Sequence, residues 1–118
     1  MMREKTRAFI AQHEIKGDKL VTVIFEFSQD EAFVDLSIFD IAKIEDASKR
    51  EKLLELINER NMSYRFGKFF VSDDGNIVMR WSLFIKDHFD PAFLLDMAFM
   101  LVGNVEEEYP KFMKLQWD

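Results

Sequence analysis

Residues 64–85 read YRFGKFFVSDDGNIVMRWSLFI. Two apolar runs, Tyr64 to Val71 and Ile77 to Ile85, flank Asp73-Asp74-Gly75-Asn76. Asp-Gly between apolar alternations is a strong hairpin signal, because glycine accepts positive φ without steric cost. With Asp74-Gly75 as a two-residue loop, Phe70 pairs with Met79, Phe66 with Leu83 and Tyr64 with Ile85 on a core face. Lys68 falls opposite Trp81 on that face and snorkels at its rim. The other face then carries Val71, Phe69, Gly67 and Arg65 against Val78, Arg80, Ser82 and Phe84.

A second hairpin precedes it. Lys19 to Phe27 and Phe33 to Ile41 alternate around Asp30-Glu31. Centring the loop there pairs Phe27 with Val34, Phe25 with Leu36 and Val23 with Ile38, so all six share one buried face. A slip of one residue breaks that match. The run continues to Ile44 either as a bend or as a separate strand. Ser48 with Glu51 forms a capping box before Leu53, Leu54, Leu56 and Ile57, a helix ending near Asn61. Asp90-Pro91 opens the last helix, Asp as cap and Pro at the first position. Pro110 is expected to kink or end it. Residues 3–14 are rich in helix formers with Ala8, Phe9 and Ala11 as an apolar stripe, and Gly17-Asp18 closes them. The order is helix, hairpin, helix, hairpin, helix. It predicts one α+β domain over 1–118, with residues 1–18 an N-terminal helix or arm. The architecture is a two-layer sandwich, an antiparallel sheet of two hairpins with helices on one face.

Composition narrows the function. A chain of 118 residues hides about two thirds of its surface on folding, enough for one core. Thirteen phenylalanines point to an aromatic core, or else to an exposed aromatic surface that grips a partner. The net charge of −6 opposes binding to nucleic acid or to an anionic membrane. With no cysteine there is no disulfide framework and no thiolate chemistry. No secretion signal is visible, and the longest apolar stretch, Met97 to Val102, is too short to span a bilayer, so a cytoplasmic location is expected. His13 and His88 are the only histidines, and Asp87-His88-Phe89-Asp90 offers fewer ligands than a metal site draws on. No metal or cofactor is expected. Glu26 and Asp35, opposite one another on the outer face, are the remaining enzymatic candidate, yet exposed carboxylate pairs are more often solvated.

Binding signals are stronger. The outer face of the second hairpin, with Arg65, Gly67, Phe69, Arg80 and Phe84, mixes aromatic and arginine side chains favoured at interfaces. The last helix is apolar nearly all round from Phe93 to Val102, interrupted by Asp96 and Gly103. Such a helix is buried on every side. A sheet covers one side, so Leu95, Phe99 and Val102 are expected to meet a second copy, unless the first helix folds over them. Glu106-Glu107-Glu108 reads as a solvated charged face.

The C-terminal half also carries a resemblance. Leu56-Ile57-Asn58, Asn61, Phe66-Gly67-Lys68-Phe69 and Asp73-Asp74-Gly75 resemble the YbjN family of bacterial proteins. Asp90-Pro91, Leu94-Leu95 and the closing Val105 to Phe112 with Tyr109-Pro110 continue it. The likeness covers residues 47–115 well and 19–44 by pattern. It implies a fold like the type III secretion chaperones, often dimeric. It also implies a sensory transduction regulator with no established catalytic residues. Asn58, Asn61, Gly67 and Lys68 match family positions. Taken together, the expectation is a non-enzymatic module that binds a protein or peptide as a homodimer, the alternative being a small-molecule sensor or a carboxylate-dependent enzyme.

Overall fold

The computed structural model describes residues 7–118. Three strands come first: β1 (Arg7–Ile15), β2 (Lys19–Phe27) and β3 (Phe33–Lys43). A 3-10 turn (Ala47–Lys49) leads into α1 (Arg50–Asn61). Then come β4 (Lys68–Val71), β5 (Asn76–Phe84) and α2 (Pro91–Trp117). The five strands form one antiparallel sheet in the order β1-β2-β3-β5-β4. The sheet and two helices give the expected α+β class.

The start of the chain departs from expectation. Residues 7–15 are a strand, not a helix; the rest of the expected helix, residues 3–6, lies outside the described residues. Eight of the nine residues of β1 are exposed, so neither side imposes the alternation that marks a half-buried strand. Backbone pairing with β2 holds it, and Gly17 and Asp18 make the connecting turn at positive φ.

β2 and β3 take the expected register, with Val23 opposite Ile38, Phe25 opposite Leu36 and Phe27 opposite Val34. The loop is longer than two residues but symmetric about the same centre. Asp30 Oδ1 accepts from the Ser28 hydroxyl (2.7 Å) and the Ala32 N–H (3.0 Å). Those bonds, the hydroxyl's first, hold the Asp30 carboxyl below its usual range. β3 runs unbroken to Lys43 through a bulge between Ile38 and Ala42, with Asp40 at φ 62 and bonded to the Thr22 hydroxyl at 2.5 Å.

The β4–β5 hairpin is shifted by one residue from expectation. Phe69 pairs with Met79 and Phe70 with Val78. Ser72 and Asn76 bond across a three-residue loop, and Gly75 takes φ 91. A Cβ on Gly75 would lie 2.3 Å from the Ile44 carbonyl oxygen, so glycine is required twice over. The shift turns every β4 side chain to the other face. Phe69 is buried against Phe112, ring centroids 5.1 Å apart, while Phe70 faces outward. Lys68 sits opposite Arg80 and donates to the Asn61 carbonyl (2.8 Å).

The helices follow their caps. Asp46, not Ser48, caps the 3-10 turn ahead of α1, accepting from the Ser48 N–H at 2.9 Å. Asp90 caps α2, accepting from the N–H groups of Ala92 (3.0 Å) and Phe93 (3.3 Å). α2 continues through Pro110 to Trp117. Pro110 is exposed while Val105 and Phe112 are fully buried, so packing on both sides carries the helix across the missing N–H. The core itself is aliphatic: Val21, Val34, Leu36, Ile38, Ile41, Leu53, Ile77 and Leu101 are sealed from solvent. Of the thirteen phenylalanines only Phe69 and Phe112 are buried. The aromatic-core expectation is overturned, because branched aliphatics already fill the space between sheet and helices.

Candidate docking surface

Phenylalanine is therefore a surface feature here. Phe9, Phe33, Phe66, Phe70, Phe84, Phe89, Phe93 and Phe99 are all exposed. Their placement follows from which part of the sheet the helices cover. α2 lies over β3, and α1 lies over β4 and against α2. Directly opposed residues share a face. Phe9 opposite Phe25, Ala11 opposite Val23 and His13 opposite Val21 thus continue the core face onto β1, over which no described helix lies.

The result is an apolar channel of about 340 Å³, bounded by Phe9, Phe25, Phe27, Phe89, Pro91, Leu94 and Leu95. No polar side chain lines it. Aromatic edges set its form: Phe9 meets Phe27 edge-to-face at 6.1 Å, and Phe27 meets Phe89 at 5.5 Å. Further along, the His13 ring meets Phe99 at 6.3 Å. At one end the channel opens into a charged mouth of about 560 Å³ with Arg7, Asp30, Glu31, Lys86, Asp87 and His88. Arg7 pairs with Glu31 at 3.2 Å. Toward the other end, Glu106 accepts the Lys16 backbone N–H at 2.9 Å and ties α2 to the β1–β2 turn.

Of the three residues expected at a dimer contact, Leu95 and Phe99 are 52% and 64% exposed; Leu95 lines the channel and Phe99 lies further along, against His13. Val102, two turns on from Leu95 and on nearly the same flank, is instead buried in the core cluster, so the exposed stripe ends before it. The expected partner face of the second hairpin is split. Arg80 and Phe84 do face outward: the Arg80 guanidinium stacks over Phe70 at 5.1 Å and donates to Ser37 Oγ at 2.9 Å, and Phe84 meets Phe33 at 5.2 Å. Gly67 and Phe69 face the core instead, a consequence of the one-residue shift. A Cβ on Gly67 would come within 2.4 Å of Leu101. Arg65 is exposed in the bend before β4. Phe9, Phe27 and Phe89 were missed as site residues. Their only signal was phenylalanine abundance, which needed β1 as a strand to become a place.

The carboxylates divide in the same way. Glu26 is opposite Asp35 as expected, and Asp35 accepts from the Ser82 hydroxyl; the channel and its mouth are lined by neither. Glu108, expected in a solvated run, is fully buried. It accepts from Arg60 of α1 and from Lys111 (3.1 Å). Burial alone would raise its pKa; the bonds from Arg60 and Lys111 outweigh burial and hold the carboxyl below its usual range. Burial beside it pushes the Tyr64 phenol up. This cluster clamps α1 onto α2. Among the described residues no group of three or more His, Cys, Asp or Glu could hold a metal ion, and no helix is long and apolar enough to cross a membrane.

A family model described as "Putative bacterial sensory transduction regulator" matches residues 3–103. It takes in β1 to β3, which the resemblance reached only by pattern or not at all, and stops at Gly103, ahead of Tyr109-Pro110. No curated protein and no solved structure matches the chain.

Proposed function

Since the chain belongs to the YbjN family, we propose that it is a cytoplasmic, non-enzymatic regulator that acts by binding another protein, and that the channel beside β1 is its docking surface. The single observation behind this reading is the channel itself: an aromatic, wholly apolar trough left open in a domain whose aliphatic core is closed. Contiguous exposed apolar surface of this kind marks interaction sites. Aromatic side chains are the usual anchors of protein interfaces. The regulator description of the family favours a protein partner over a chemical substrate.

The test is affinity capture from bacterial lysate with tagged wild type, a Leu95→Glu/Phe99→Asp variant and an Arg80→Glu variant. A partner held by wild type and Arg80→Glu but lost by the double variant is the expected outcome. Loss with Arg80→Glu alone moves the docking surface to the outer face of β5. A homodimer through Leu95 and Phe99 is the second reading, favoured by their exposure on one flank of α2. Light scattering at high protein concentration decides it, since a monomer rules it out. Equal partner capture by all three proteins ends the channel assignment.

A further inference from the structure

Among the described residues, the inner layer of the sheet leaves a place one helix wide beside α2 with no helix over it. We infer that this place receives an amphipathic α-helix of the partner, with an apolar stripe and lysine or arginine on its flanks. This rests on the protein-binding reading above and specifies its partner.

Helix spacing sets the size of the place. α2 lies over β3, and α1 lies over β4, two strands away in the order β3-β5-β4. Two strands at about 4.8 Å each come to about 10 Å, the ordinary separation of packed helices. The same step in the other direction, along β3-β2-β1, ends over β1. No described helix lies there. The nine residues of β1 span about 30 Å, the length of a helix of about 20 residues. Phe9, Phe25 and Phe27 form the floor of the place and Leu95 and Phe99 its wall. α1 displays the mode of entry: Leu53 and Ile57, one turn apart, insert into the core. An occupant over β1 inserts aliphatic side chains with the same i, i+4 spacing.

Charge selects among occupants. Asp30, Glu31 and Asp87 stand at one end, Asp96 along α2 and Glu106 toward the other end, against Arg7, Lys16 and Lys86. Arg7 and Glu31 already engage each other, which leaves Asp30, Asp87, Asp96 and Glu106 against Lys16 and Lys86. The surplus of carboxylate, on a chain of net charge −6, favours a basic helix. A second copy fits less well, because its α2 would present Asp96, Glu106 and Glu107 to the same rim.

The probe is a fluorescein-labelled synthetic helix of about 18 residues, with leucine at i, i+4 and i+7 spacing and lysine elsewhere. Its counterpart carries glutamate in place of lysine. Anisotropy titrations would use wild type, Leu95→Glu/Phe99→Asp and Arg80→Glu, each first checked for cooperative thermal unfolding. Wild type and Arg80→Glu are expected to bind the lysine peptide alike. The double variant, and the glutamate peptide on wild type, should each bind at least tenfold more weakly. The bound lysine peptide should gain helical circular dichroism, and added salt should weaken it. Equal binding to the double variant, or no preference for lysine, overturns the inference. So does a wild-type dimer in sedimentation that Phe99→Asp dissociates, since a second copy then fills the channel. Should lysate capture still depend on Leu95 and Phe99 while the lysine peptide fails to bind wild type, protein binding stands and the basic helix falls.

Discussion

The two halves of the inner sheet face are built alike and finished differently. Over β4 and β5, α1 seals Leu53 completely, and Glu108 pairs with Arg60 to fix that helix to α2. Over β1 no described helix gives such cover, and Phe9 is 60% exposed on the same face of the same sheet. Strand pairing is equally continuous on both sides, so pairing does not decide burial. What decides it is whether a helix lies above. The covered half contributes stability; the bare half keeps apolar area available for something else.

That contrast can be broken first at its largest expected difference. Leu53→Ala removes a fully buried side chain and should cost about 2–5 kcal/mol, whereas Phe9→Ala should change stability by less than about 0.5 kcal/mol. Urea denaturation of the two variants checks it; equal losses would mean the β1 side is covered after all. Next comes the clamp. Glu108→Gln should cost roughly 1.5–3 kcal/mol at neutral pH, through lost charge-assisted hydrogen bonds. Its folded pKa is lowered from 4.5, so the stabilisation is present above that value and fades as pH falls through the folded pKa. The gap between wild type and variant should therefore narrow in acid, read as urea midpoints at neutral and acidic pH. Gly67→Ala sharpens the comparison most finely. A methyl there meets Leu101 and Met79 in the covered half, and overpacking should cost about 1–3 kcal/mol. If Gly67 lay on the outer face, alanine would be harmless.

Sequence reading succeeded where two constraints agreed. In β2 and β3 every apolar pairing demands one register, and the structure adopts it. In β4 the constraints conflict. Phe69 and Phe70 are adjacent, so either face can be apolar, and Asp73-Asp74-Gly75 supports a two- or a three-residue loop. The alternation could not choose, and the face assignment of Gly67 and Phe69 went with it. β1 escaped because a strand exposed on both sides shows no period, leaving Ala8, Phe9 and Ala11 to mimic a helical stripe. The excess apolarity of α2 was visible at Leu95 and Phe99. The channel was not, since its floor belongs to a strand mistaken for a helix.

The far margin of the sheet carries a further consequence. Asn61 receives the Phe69 N–H at 2.7 Å on its side-chain oxygen and gives its amide to the Phe69 carbonyl at 3.0 Å. A side chain thus stands in for the neighbouring backbone that β4 lacks. Polymerisation by strand addition needs two free margins on each molecule, one to give and one to receive. With the outward N–H and C=O of Phe69 taken, the short β4 margin is blunted against edge-to-edge addition.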